Sequence, residues 1–180
     1  MKQGQMEVVG LVIIVILITL GLLFLAQFAL KDKPEKKIFT RKGLAYSTLS
    51  AMMRTTVPAG TCVGDNQQPV SSPLSLGKDI LEDCTLVVIE TPSKYTCDDI
   101  NSCEYFRKTT EQLLHGTLGT WNKRYDFSAK MLLGGAGPLS LFDPIENKGG
   151  CEHAKEIDAA EQPIPLTGGG LVQARLRLCD

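Results

Sequence analysis

The sequence is poor in net charge and in histidine, and both shortages narrow the possible functions. Its 180 residues hold 19 basic and 20 acidic side chains, so no excess of positive charge favours nucleic acid as a partner. The two histidines, His115 and His153, stand in no HxxxH spacing, and no CxxC spacing accompanies them. The glycine-rich runs lack the Gly-Lys-Ser/Thr ending of a phosphate-binding loop. We therefore predict no metal, no cofactor and no enzymatic activity.

Charge is also missing from one long stretch near the N-terminus. Residues 8–30 contain no charged side chain, and their only polar side chains are Thr19 and Gln27. At about 1.5 Å per residue, a helix of this length would reach about 35 Å and could cross a bilayer core of about 30 Å. A cleaved secretory signal peptide would have a shorter apolar region and a small-residue cleavage site. We therefore predict an uncleaved transmembrane helix over 8–30, with membrane lipid as a partner.

A basic segment follows this stretch and leaves the orientation of the protein open. Residues 31–42 carry six basic and two acidic side chains, which is typical of a juxtamembrane hinge. Pro34 is expected to interrupt any continuous helix there. Because Lys2 is the only basic residue before the apolar stretch, the positive-inside rule would place the rest of the chain in the cytoplasm.

The cysteines favour the opposite orientation. All of them lie beyond the apolar stretch, at Cys62, Cys84, Cys97, Cys103, Cys151 and Cys179. An even number of cysteines in a domain of about 140 residues is typical of disulfide-linked proteins in oxidising compartments. We therefore predict a single-pass membrane protein whose domain at 43–180 is extracytoplasmic.

The spacing of these cysteines does not determine how they pair. The pairing that we expect is Cys97–Cys103, Cys62–Cys84 and Cys151–Cys179. The alternative is a cytoplasmic domain with reduced or zinc-bound cysteines, in which Cys151, His153 and Cys179 would be the candidate zinc ligands.

Helical patterns occur at three places in the domain. Apolar residues at helical spacing predict helices over 44–56 and 102–115. Ser75 is expected to cap a shorter helix that ends near Cys84. The acidic pair at 98–99 and Asn101 are expected to open the helix over 102–115, with the acids placed where negative charge is favourable, at a helix N-terminus.

Strand patterns fill most of the remaining domain. Alternation of apolar and polar residues predicts strands over 124–133 and 172–178, with a weaker strand near Ile157. The segment 163–170, rich in proline and glycine, is expected to connect the last two strands, and the apolar run at 86–89 is expected to form a buried strand. The fold class is therefore α+β: a long N-terminal helix, then a small antiparallel sheet with helices on one face.

The residues at the start of the chain resemble a known processing signal. The motif QGQMEVVGL contains Gln3, Gln5, Glu7 and Leu11. This arrangement resembles the Q-x-S-x-E-x-x-x-L leader (the class III signal peptide) of archaeal type IV pilin-like proteins. It departs from that leader at Gln5, where the family has Ser, and at Lys2, where Gly is usual. The resemblance implies that a prepilin peptidase cleaves between Lys2 and Gln3, which would make Glu7 the fifth residue of the mature chain. The alternative cleavage site, after Gly4, would make Glu7 the third residue.

The same resemblance implies a structural function. It implies that residues 1–30 form the leader and the filament-core helix of a pilin-like subunit. Glu7 would then pair with the free N-terminal amine of a neighbouring subunit and fix the register between the two. We therefore expect a subunit of a type IV pilus-like surface filament, with other copies, the prepilin peptidase and the pilus assembly machinery as partners. The alternative is a single-pass membrane-anchored binding domain that does not polymerise.

Overall fold

The structure, a computed structural model, describes the backbone of residues 3–29, 34–134 and 137–179, and the side chains of 12–27, 41–134 and 137–179. The chain divides into two compact units, Met1–Lys37 and Ile38–Asp180. The described helices are α1 (Gln3–Ala29), α2 (Pro34–Met53), α3 (Leu81–Val88) and α4 (Ser102–Leu114). A π-helical turn, Leu76–Ile80, precedes α3, and another, His115–Gly119, extends α4.

The strands within the described residues fall into three antiparallel sheets. A two-stranded sheet pairs β1 (Thr56–Val57) with β3 (Leu74–Ser75). A three-stranded sheet has the order β2 (Cys62–Gly64), β4 (Tyr95–Cys97) and β5 (Ile100–Asn101). The largest sheet contains β6 (Arg124–Leu132), β7 (Leu139–Ser140), β8 (Ile145–Glu146), β9 (Ile157–Pro165) and β10 (Leu171–Cys179).

Helix α1 carries the apolar stretch of the sequence and overturns the prediction of a membrane span. Its described side chains, those of residues 12–27, are all exposed. Within the part of the chain that the structure describes, no helix combines the length and the apolar character that crossing a membrane requires.

Two predictions are corrected by this finding. The transmembrane helix expected over 8–30 is wrong, and so is the single-pass membrane localisation with an extracytoplasmic domain.

Helix α2 begins at Pro34, where a break in the helix was expected. Proline is well tolerated in the first turn of a helix, because the N–H that it lacks would have no helical partner there. The helix then continues to Met53. Arg41 belongs to the segment 31–42 that was predicted to be a basic hinge. Its guanidinium forms ion pairs with Glu156 at 2.5 Å and with the buried Asp158 at 3.0 Å.

Ser75 caps the next helical segment, as predicted. Its Oγ accepts a hydrogen bond from the backbone N–H of Lys78 at 3.3 Å, and the Asp79 carboxylate accepts one from the N–H of Ser75 at 2.7 Å. This reciprocal arrangement is typical of helix N-termini. The segment continues to Val88, so the strand expected at 86–89 is wrong. A short apolar run fits a packed helix as well as a strand.

The acidic pair ahead of α4 forms a turn. Asp98 and Asp99 both have positive φ, at 48° and 63°, and they connect β4 to β5 as a two-residue hairpin turn. Helix α4 begins later than this pair, and Asn101 caps it by accepting a hydrogen bond from the N–H of Glu104 at 3.0 Å. The helix expected over 102–115 is confirmed.

The largest sheet has β10 between its two long neighbours, in the order β7–β6–β10–β9, with β8 also paired to β6. The strands predicted over 124–133 and 172–178 are confirmed as β6 and β10. Ala174 lies opposite Ala129 on one side and Gln162 on the other. Alternate residues of these strands face the helices and are mostly buried.

Strand β9 lies at one end of this strand order and extends through a segment expected to be a connection. The N–H of Leu166 donates to the carbonyl of Gly170 at 3.2 Å, which extends the β9–β10 ladder. In an antiparallel pair, the backbone groups of every second residue hydrogen-bond to the neighbouring strand, and in β9 these are the even-numbered residues. The backbone nitrogens of Pro163 and Pro165 therefore point away from β10. Proline is compatible with such an edge position because no N–H is needed there.

Helices and sheet together enclose the core of the larger unit. Its largest buried side chains include Leu49, Phe106, Leu114, Leu118, Tyr125, Phe127, Leu176 and Leu178. The rings of Phe106, Phe127 and Phe142 lie with their centroids 5.7–6.3 Å apart. Gly77 permits the close approach of α2, because a Cβ there would lie 2.5 Å from the carbonyl oxygen of Met53. The predicted α+β class with an antiparallel sheet is confirmed for this unit.

All six cysteines form disulfides, which confirms the disulfide-linked domain. The pairs are Cys62–Cys97, Cys84–Cys103 and Cys151–Cys179. The expected pairs Cys97–Cys103 and Cys62–Cys84 are wrong, because tertiary contacts decide the pairing. β2 pairs with β4 and sets Cys62 opposite Cys97, while α3 packs against α4. No free thiol is left for the zinc-bound alternative.

Candidate self-assembly surfaces

The residues predicted to act in leader processing and assembly are Lys2, Gln3, Glu7 and Leu11. Lys2 lies outside the described residues. Helix α1 includes the other three in its backbone, while their side chains lie outside the described ones. The functions assigned to these four residues therefore stay predictions.

The apolar segment 12–27 of α1 presents large apolar side chains to solvent on every side. Seven consecutive residues from Val12 to Ile18 are exposed, and at 100° per residue they cover the whole circumference of the helix. The exposed fractions of the large apolar side chains range from 46% at Leu20 to 67% at Leu25. A helix that is apolar on all sides is ordinarily covered by other structure. A contiguous exposed apolar surface of this kind marks an interaction site.

A second apolar surface lies within the larger unit, in a groove between α2 and the end of α4. We call it the α2–α4 groove, and its volume is about 330 Å³. One side is formed by α2 residues that include Leu44, Ser47 and Ala51, and by Thr55 just beyond the helix. The other side includes Leu113, Thr117 and Trp121.

The periodicity of α2 accounts for this groove. The face of α2 that carries Ala45, Leu49 and Met52 packs into the core. Ser47, Ala51 and Thr55 follow one another at intervals of four residues on a neighbouring face, and such residues align along a helix. Small side chains along this line leave room beside α4.

Three of the hydroxyl groups in the groove already have hydrogen-bond acceptors. The side chain of Ser47 donates to the carbonyl of Leu44 at 3.0 Å, and that of Thr55 donates to Ala51 at 3.2 Å. The Thr117 hydroxyl donates to the carbonyl of Leu113 at 2.7 Å. Since these donors are satisfied within their own helices, an apolar partner could cover them without leaving a buried donor unpaired.

This groove was not predicted from the sequence. Trp121 is the single tryptophan of the chain, and it is 60% exposed. A lone tryptophan soon after a predicted amphipathic helix, together with the four-residue spacing of small side chains in α2, was the available signal. That signal does not indicate that α2 and α4 lie next to each other.

An acidic pocket near α3 has a structural explanation. It is lined by Asp79, Glu82 and Asp83, among others. Asp83 is buried and accepts hydrogen bonds from the hydroxyl of Ser93 at 2.6 Å and the N–H of Lys94 at 2.7 Å. Glu82 accepts one from the backbone N–H of Thr167, and Asp79 caps the helical segment as described above. These carboxylates hold loops in place.

A polar cleft beside α4 contains His115, Glu111 and Tyr125. Burial raises the pKa of Tyr125 above 10.0, and the negative charge of Glu111 raises it further. The phenol therefore stays protonated at neutral pH and cannot serve as a base there. Across the described side chains, no three His, Cys, Asp or Glu residues come together as a metal-binding group.

Comparisons with known proteins do not assign the chain to a family. No protein-family model, no curated protein and no solved structure matches it. The features of this chain that bear on its function are therefore the two apolar surfaces and the N-terminal motif.

Proposed function

We propose that this chain is a structural subunit of a type IV pilus-like filament, assembled through its N-terminal apolar helix after removal of a leader peptide. The observation that carries this proposal is the exposure of the apolar segment 12–27, in which Leu17, Leu22 and Phe24 each expose more than 60% of their surface. Burying such a side chain contributes about 1.5–3 kcal/mol. Contact with other copies would bury several such side chains along the helix, and each of them would contribute this free energy.

The division of the chain supports the same proposal. A filament subunit needs a segment for polymerisation and a domain that stays folded beside it. The larger unit has its own core and three disulfides, so its folding does not depend on assembly. Disulfides of this kind suit a domain that works in an oxidising environment.

The motif at the N-terminus supports the assembly chemistry. After cleavage between Lys2 and Gln3, the new amine of one subunit would carry a positive charge close to Glu7 of a neighbour. A carboxylate removed from water is costly unless it is paired, so the pair would fix the register between subunits.

The first experiment determines the mature N-terminus by mass spectrometry of assembled material. A chain that begins at Gln3 supports processing at the predicted bond. A chain that begins at Gln5 supports processing but removes the register assigned to Glu7. An intact Met1 contradicts leader removal and, with it, the proposed function.

The second experiment replaces Glu7 by Gln, which keeps the size of the side chain and removes its charge. We expect correctly processed subunits and a lower filament yield, because the amine of the neighbour loses its partner. Glu90→Gln, at an exposed residue of the larger unit, is the matched control. An unchanged filament yield in Glu7→Gln would contradict the charge pair.

A further inference from the structure

We infer that the α2–α4 groove receives the apolar segment 12–27 of a second copy of this chain. This inference rests on the proposed function and adds the surface of the larger unit on which a neighbouring helix docks.

Charge is the first argument for this occupant. Among the residues that the structure describes, none that lines the groove is charged, and the segment 12–27 contains no charged residue. A partner helix with charged residues on its docking face would lose their hydration in the groove without finding an opposite charge there, which is costly. The segment 12–27 has no charged side chain to dehydrate, so it can enter the groove without that cost.

Shape is the second argument. The groove lies between two helical segments and is lined on the α2 side by small residues, Ser47, Ala51 and Thr55. Small side chains let helix axes approach closely, and a helix lying in an apolar groove is a common mode of recognition. On the other side Trp121 provides a large, exposed apolar surface, and tryptophan is one of the residue types enriched among the residues that dominate binding energy.

The symmetry of the contact is the third argument. The segment 12–27 and the groove are different surfaces, so each copy has one of each. A contact between different surfaces repeats from one subunit to the next and generates an open filament when its rotation does not close a ring. The docking surface is thus of the kind that the proposed filament requires.

The test measures assembly of the full chain by pelleting over a range of protein concentrations. Trp121→Ala is expected to raise the concentration needed for assembly by about tenfold. Tyr46→Ala is the matched control, because Tyr46 is an equally exposed aromatic residue of α2, at 62%, outside the groove lining. Its effect is expected to stay within about twofold. Equal effects of the two substitutions would overturn the inference.

Tryptophan fluorescence gives an independent measurement on the unchanged chain. Because Trp121 is its single tryptophan, we expect the emission to shift to shorter wavelength as assembly covers the groove. Emission that stays constant while the protein pellets would also overturn the inference.

A third variant separates this inference from the proposed function. Leu17→Lys introduces a charge into the apolar segment, at a side chain that is 63% exposed, and is expected to prevent assembly. If it does so while Trp121→Ala does not, the filament proposal stands and the groove is not the docking surface. If Leu17→Lys assembles like the parent chain, the apolar segment does not drive assembly and the proposed function fails.

The origin of the bound helix is tested by cross-linking. A photo-reactive phenylalanine analogue at position 121 is introduced into a mixture of ¹⁵N-labelled and unlabelled chains. Cross-links that join position 121 of one isotope to residues 12–27 of the other are expected. Cross-links within single isotopes alone would show that each helix occupies its own groove, and would overturn the inference.

Discussion

The apolar residues of this chain lie in two regions with opposite surroundings. In the larger unit, Phe127 and Leu176 are fully buried because a sheet and several helices cover them. In the segment 12–27, residues of the same chemical kind such as Leu17 and Leu22 remain more than 60% exposed. A single helix cannot cover its own side chains, whereas two layers of structure can. The first region is therefore stabilised by its own packing, whereas the second leaves its apolar side chains exposed.

The largest difference between the two regions is expected when the same type of substitution, Leu to Ala, is made in each of them. Leu176→Ala removes a buried side chain and is expected to lower the free energy of unfolding of the larger unit by about 2–5 kcal/mol. Leu17→Ala is expected to change it by less than about 0.5 kcal/mol and to weaken assembly instead. Urea denaturation and pelleting measure the two effects. A large loss of domain stability in Leu17→Ala would show that the regions are not energetically separate.

Removal of one disulfide tests the same separation with a smaller effect. Cys151→Ser/Cys179→Ser is expected to lower the free energy of unfolding by about 2–4 kcal/mol, because the unfolded chain gains conformational freedom. Assembly is expected to be unchanged under conditions in which the larger unit of this variant remains folded. An unaltered urea midpoint would contradict the stabilising effect that we assign to this disulfide.

The smallest effect concerns pH. Burial, with a further contribution from Glu111, raises the pKa of Tyr125 above 10.0 in the folded state. Above about pH 10, the unfolded chain therefore loses protons that the folded chain retains, so stability present below that pH is lost as pH rises through the folded pKa. Tyr125→Phe is expected to make the loss less steep, as measured by urea denaturation between about pH 9 and 11. An identical slope in both proteins would contradict the assignment.

Patterns within a single element were predictable from the sequence. The alternation of residues in β6 and β10 predicted both strands, and the side chains of Ser75 and Asn101 marked the starts of helices. Each of these signals is local, because it depends on the period of the backbone or on a hydrogen bond that spans a few residues. The apolar run at 86–89 was ambiguous for the same reason, since four apolar residues have no distinct period.

Patterns that depend on a distant neighbour were not predictable. Pro163 and Pro165 occur in β9 because that strand lies at an edge, which only the strand order reveals. The partner of Cys62 is Cys97 because β2 lies against β4. The membrane span failed as a prediction because composition and length over 8–30 were its only basis.

The periods of β6, β10 and α4, the even set of cysteines and the charge-free segment near the N-terminus are all visible in the sequence. Three other features depend on tertiary contacts: which cysteines pair, which strand lies at the edge, and the apolar groove that α2 and α4 enclose beside Trp121. The physical reason is that periodicity and capping act over a few residues. Disulfides and grooves instead require segments far apart in the chain to meet, and which segments meet depends on how the whole core packs.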